Sequence, residues 1–192
     1  MSEKTYGRVH VEIRGLTPIL MNRMNPEALK DERIGPGKKK YVPEEEARKA
    51  AYIAVVDGKE QLYIPARWLY SMIVKAAAEY KAEGKRSSIA SLLAGTIRVE
   101  PENIMLGHCN YEIDERPVVI QRARVLAWRP MIKDWTVEFD IVYNKTYFSN
   151  LALRQLEAVL KDGAVRLGIG DFRPQHKGWF GTFEVTKFEV ES

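Results

Sequence analysis

Gly168, Gly170, Gly178 and Gly181 are spaced through one stretch of chain, Val165–Phe183. That stretch also holds Arg173, Lys177, His176, Phe172, Trp179, Phe180 and Phe183. Glycine takes positive φ at no steric cost and lets a second backbone come close. Successive N–H groups in such a turn can form a concavity for an anion. Arg173 and Lys177 add positive charge, and the aromatic rings offer faces on which bases stack. The chemistry these residue types suit is the holding of a phosphate backbone. The alternative is a glycine-rich turn into an edge strand, with Trp179 and Phe183 simply in the core. Asp171 lies in the same stretch, and its charge calls for a cation such as Arg173.

Acid–base chemistry has fewer candidates. The histidines are His10, His108 and His176. His176, beside Lys177 in the glycine stretch, is the best candidate for a general acid or base. A histidine in a basic loop is more commonly a polar surface residue, so His176 is a weak catalytic candidate. Glu138 and Asp140 alternate onto one face of a strand pattern and could hold Mg²⁺, but a solvated strand face explains them more simply. The chain has no HExxH zinc motif, P-loop or GxSxG elbow. No cofactor and no metal is expected.

Further arginines fall on strand patterns. In Tyr6–Arg14, Val9, Val11 and Ile13 point one way, and Arg8, His10, Glu12 and Arg14 the other, as in a half-buried strand. Over Val118–Trp128, Arg122, Arg124 and Trp128 share a face opposite Val119, Ala123, Val125 and Ala127. Were these two strands neighbours, the open sheet face would be basic with an aromatic, a surface suited to single strands. Alternatively, an inserted lobe covers that face and the arginines pair with Glu138 and Asp140.

The elements that must position these groups read as a mixed α/β chain. Gly35-Pro36-Gly37 before Lys38, Lys39 and Lys40 predicts a mobile basic loop near 31–42. Pro43 and Glu44–Glu46 open a helix. Asp57-Gly58 joins Tyr52–Val56 and Gln61–Ile64 as a hairpin. Ala66–Glu83 carries Leu69, Met72, Ile73 and Ala76 at helical spacing, and Ser88–Ala94 suggests a short helix. Residues 96–117 read as short strands and loops, within an inserted lobe near 85–117. Trp135–Tyr143 alternates as a strand. Ser149 caps a helix that Asp162-Gly163 closes. Phe180–Val190 is the last strand. This order predicts a single α+β domain over residues 1–192. Its sheet is antiparallel and ferredoxin-like (RRM-like), with helices on one face and the inserted lobe.

Composition narrows the setting. The 192 residues are 45% hydrophobic, ordinary for one globular domain. No apolar run reaches the roughly 20 residues of a membrane span, and the first residues lack a signal peptide's apolar core. Cys109 is the only cysteine, so no intrachain disulfide forms and a reducing, cytoplasmic setting is expected. Net charge is +4 and the pI about 9.1. Residues 1–96 hold 17 Lys and Arg against 12 Asp and Glu, whereas residues 97–192 hold 13 against 14. A basic half favours a polyanionic partner.

The ordered motifs resemble those of a family of bacteriophage proteins with no settled activity. The resemblance rests on Gly168-Ile-Gly170-Asp171-Phe172-Arg173-Pro174 leading to Gly178-Trp-Phe180-Gly181-Thr-Phe183, on Gly15-Leu-Thr17-Pro18-Ile-Leu-Met21-Asn22-Arg23, and on Arg129-Pro130…Trp135. It spans roughly residues 9–185 and implies a phage or prophage origin, with any host-cell location the cytoplasm. More distantly, the glycine stretch and strand order are similar to the repeat-associated mysterious proteins (RAMPs) of CRISPR systems. Their backbone subunits polymerise along guide RNA, with a terminal glycine-rich loop near the nucleic acid. That resemblance implies a phosphate path along Gly168, Gly170, Arg173, Lys177, Gly178 and Gly181, and a homo-oligomer.

The function expected from these residues is non-enzymatic binding of single-stranded DNA or RNA, in replication, recombination or a CRISPR-like complex. Binding would use Arg8, Arg14, Lys38, Lys39, Lys40, Arg122, Arg124, Trp128 and the glycine stretch. Two alternatives stand beside it. One is a metal-independent endoribonuclease of the repeat-processing type using His176. The other is a phage structural or interaction protein with no nucleic-acid role.

Overall fold

The computed structural model describes residues 5–24, 42–82, 84–120 and 123–191, with the side chains of 119, 120 and 123–125 left aside. Among the described residues the strands are β1 (Tyr6–Gly15), β2 (Ile19–Leu20), β3 (Ile53–Val56), β4 (Lys59–Pro65), β5 (Ile97–Glu100), β6 (Asn103–Met105), β7 (Glu112–Ile120), β8 (Ala123–Ile132), β9 (Thr136–Asn144) and β10 (Phe183–Val190). The helices are α1 (Pro43–Ala50), α2 (Ala66–Ala76), α3 (Ala90–Thr96) and α4 (Asn150–Arg166). The expected basic loop lies outside the described residues except for Val42.

The alternation in β1 sets the main sheet. Val9, Val11 and Ile13 are wholly buried, while Arg8, His10 and Glu12 are half-buried on the other face. β1 lies between β10 and β9, and β5 lies beyond β9, so the order is β10-β1-β9-β5 with every pairing antiparallel. α2 precedes β5, and α4 connects β9 to β10. A β-α-β-β-α-β path with this strand order is the ferredoxin-like arrangement, and the fold is α+β as the sequence predicts. Two smaller three-stranded sheets, β2-β8-β7 and β3-β4-β6, are built from the chain between these elements.

The core lies between the main sheet and the two helices. Leu69 and Ile73 of α2 and Leu156, Val159 and Leu160 of α4 pack with Val11, Phe139 and Ile141. Each such side chain contributes about 1.5–3 kcal/mol on burial. The helices meet closely at Gly163, where a Cβ would run into the Met72 sulfur. α4 therefore runs through Gly163 to Arg166, past the stop that Asp162-Gly163 suggests. Glycine serves there as a helix–helix contact, and helical hydrogen bonding outweighs its low propensity.

Ser149 is the α4 N-cap, its Oγ accepting from the Ala152 amide at 3.2 Å. Ser149→Ala is expected to cost about 1 kcal/mol. A lower urea midpoint at unchanged m-value would report it, and an unchanged midpoint would show the cap to be energetically silent.

Other boundaries differ from the sequence reading for local reasons. Asp57 and Gly58 both take positive φ, 50° and 75°, as a two-residue primed turn requires. α2 stops at Ala76 and passes into a 3₁₀ turn, Ala77–Glu79. The segment 118–128 forms parts of two strands, not one: β7 and β8 pair up to Ile120↔Ala123. The sequence between them, Gln121-Arg122, holds no glycine or asparagine, so the alternation in the sequence runs on unbroken. The segment 85–117 divides between α3, edge strand β5 of the main sheet, β6 beside β4, and the start of β7. No helix among the described residues is long and apolar enough to cross a membrane.

Candidate nucleic-acid interface

The glycine stretch follows α4 and doubles back on itself before β10. Gly168, Gly170 and Gly181 take positive φ. The Ile169 amide donates to the Gly181 carbonyl at 2.9 Å, and the Gly181 amide to Pro18 at 2.8 Å. A Cβ on Gly181 would collide with the Ile169 carbonyl, and one on Gly178 with that of Phe172. The two arms of the loop thus lie backbone against backbone, and only glycine fits between them. The amides of Gly168, Ile169, Asp171, Phe172, Gln175, Gly178, Phe180, Gly181 and Thr182 all donate within the protein. The loop therefore meets its surroundings mainly through side chains.

A chain of alternating charges anchors the loop to the β7–β8 hairpin. Arg129 donates to Asp171 Oδ2 at 2.7 Å and to Asp114 Oδ2 at 3.1 Å. Asp114 also accepts from Arg116 Nε at 2.7 Å, and Asp171 from Asn22 Nδ2 at 3.1 Å. Arg129 and Asp114 are both buried. The cation that Asp171 calls for is thus Arg129, because β2 pairs with β8 and also bridges to the loop at Leu20↔Asp171. Arg173 instead donates to the Gly170 carbonyl at 2.6 Å. Burial lowers its pKa, opposed by the Asp171 charge. Arg129 Nε is buried without a partner among the described residues.

Arg116 links this chain to an aromatic cluster. Its guanidinium carbon lies 4.8 Å from the Phe180 ring centre, 5.3 Å from Trp179 and 5.9 Å from Phe172, within cation–π range. Trp179 and Phe180 stack at 5.7 Å and 29°. Phe180 is buried, but Trp179 is 58% exposed. The result is an indole presented to solvent, braced by a ring and a guanidinium. Lys177 is exposed next to it in the left-handed conformation.

The other expected groups are dispersed. Arg8 and Arg14 lie on the open face of the main sheet, not beside Trp128, which belongs to the sheet of β8. Arg8 pairs with Asp140 at 2.8 Å and Glu100 at 3.2 Å, and Arg14 pairs with Glu184. Asp140 also bonds His10 Nδ1 at 3.0 Å, and Glu138 lies 3.6 Å from His10 Nε2. Carboxylates outnumber cations on that face, so the two strands do not form the common basic surface envisaged for them. Trp128 donates to Glu115 at 2.8 Å. Lys38, Lys39, Lys40 and Arg122 lie outside the described residues, as does the side chain of Arg124. His176 ends a 3₁₀ turn and is exposed.

Asp114, Arg116 and Arg129 were not singled out as binding candidates by sequence. The usable signal was a lone arginine between apolar residues in Trp128-Arg129-Pro130, since a buried arginine needs carboxylates.

No family model and no curated protein sequence matches the chain. A solved chain described as a CRISPR RNA-guided surveillance complex is similar at a TM-score of 0.43 and 10% identity, over 92% of this chain and 66% of that one. This chain thus spans just under two thirds of that neighbour's length. The fold assignment rests on the strand order itself.

Proposed function

We propose that the chain binds single-stranded nucleic acid without cleaving it, with copies side by side along the strand. The observation that carries this reading is Trp179, a large exposed indole backed by Phe180 and Arg116, two residues from exposed Lys177, which pairs with no carboxylate among the described residues. A rigid aromatic face with neighbouring cations is what sequence-tolerant binding of single strands uses. The internally bonded loop amides and the Arg129 ion pairs support the reading by fixing that face in place. A role in phage replication or recombination, or in a CRISPR-like complex, fits this chemistry.

Gel shifts and cleavage assays on single-stranded DNA and RNA test it. Affinity is expected to fall steeply with salt as neutralised phosphates release counterions. The absence of a shift with both strands at low salt would refute the reading. Metal-independent cleavage abolished by His176→Ala, with binding retained, would make the chain an enzyme instead. Light scattering with a long oligonucleotide tests the side-by-side arrangement, which a single bound copy per long strand would exclude.

A further inference from the structure

Asn22, which donates to Asp171 of the glycine loop, also lines a cleft. This cleft has a volume of about 480 Å³ and is lined by residues including Asn22, Arg23, Tyr52, Tyr63, Arg67 and Glu102. That volume lies in the range of small-molecule sites. Its walls combine three kinds of group. Tyr52 and Tyr63 meet edge to face at 5.6 Å and 77°, and Tyr52 is held on its other side by Trp68 at 5.1 Å and 81°. Each ring fixes the next, so the aromatic wall is stiff. Arg67 donates to the Tyr52 hydroxyl at 3.2 Å, which places its guanidinium at the cleft.

The charges of this cleft are unmatched. Arg8, Arg14, Arg48, Arg98, Arg116, Arg129 and Arg166 all hold carboxylates. Among the described residues Arg23 and Arg67 hold none, as do Arg86, Arg154 and Arg173 elsewhere, and the Glu102 carboxylate has no cation; the cleft is where two such arginines come together. Two arginines without acids and one acid without a base line the same space as the tyrosines. α2 also starts there, behind Pro65, without a side-chain cap. Its positive end adds to the two arginines.

We propose that this cleft binds one nucleotide of the strand. Arg23 and Arg67 hold the phosphate as charge-assisted hydrogen-bond donors. The base lies on Tyr63 and turns its N–H edge to Glu102. A carboxylate accepts well from guanine, which offers two adjacent donors, and poorly from uracil, whose single N–H lies between two carbonyls. The proposal deepens the strand-binding reading and rests on it for the source of the nucleotide.

Calorimetric titration of GMP and UMP, beside anisotropy of a fluorescein-labelled guanine-containing single strand, tests it. GMP is expected to bind the wild-type protein more tightly than UMP does, and Glu102→Gln should remove that preference. Arg67→Ala, at an exposed position, should weaken GMP roughly tenfold and weaken the labelled strand several-fold. Trp179→Ala should leave GMP binding unchanged. No GMP binding, or GMP binding that survives both Arg67→Ala and Arg23→Ala, would overturn the site. GMP binding with no strand binding by any variant would refute the strand as source and the strand-binding reading with it, leaving a free-nucleotide site.

Discussion

Arg129→Ala is expected to lower folding stability by about 3–5 kcal/mol, toward the lower figure. Arg129 and Asp114 each have side chains only 7% exposed. Removing the guanidinium leaves the buried Asp114 carboxylate and the part-exposed Asp171 carboxylate without their shared cation. Asp114 keeps Arg116 as a donor, and Asp171 keeps Asn22 and the Phe172 amide, which is why the loss stays near the lower end. Arg129→Lys should lie between, since an ammonium cannot reach both acids as a planar fork does. Asp171→Asn should cost less than either, because that carboxylate is 33% exposed. Urea unfolding with a constant m-value measures all three. A loss below about 1 kcal/mol for Arg129→Ala would mean that hairpin and loop are held by backbone bonds alone. If the ion pairs do hold them, the same variant should also loosen the loop that presents Trp179.

The fold was legible in the sequence where one local rule met one buried face. The alternation of Tyr6–Arg14, the primed turn at Asp57-Gly58 and the cap at Ser149 each state their geometry in a few adjacent residues. The break between β7 and β8 was not legible, because the sequence between Ile120 and Ala123 holds no glycine, asparagine or proline to mark it. Gly163 misled for a related reason. A glycine after an aspartate signals a helix end, yet here the close approach of Met72 decides what fits. The site was partly legible. Its glycines and aromatics are contiguous, and their composition announces them. The groups that hold them, Asp114, Arg116 and Arg129, come from a hairpin some forty to sixty residues earlier. Their placement depends on the pairing of β7 with β8 and of β8 with β2, which no local pattern encodes. The same holds for the nucleotide cleft, whose arginines are separated by more than forty residues of chain.

Trp179→Ala is expected to weaken single-strand binding by roughly 5–150-fold, the equivalent of about 1–3 kcal/mol for one stacked base. Its effect on stability should stay within about 0.5 kcal/mol, because the indole is largely exposed. Trp179→Phe should recover much of the affinity, since a flat ring remains. The salt dependence should be unchanged in both variants, because neither removes a phosphate contact. Lys177→Ala should do the reverse, lowering the salt slope by about one with a modest loss at low salt. Arg116→Ala combines the two kinds of effect. It removes the cation over three rings and one of the two donors on Asp114, so affinity and stability should fall together. The contrast between Trp179 and Arg116 therefore separates a stacking platform from a structural cluster that is merely exposed. Unchanged strand affinity in Trp179→Ala, with unchanged unfolding, would place the nucleic acid elsewhere on the molecule.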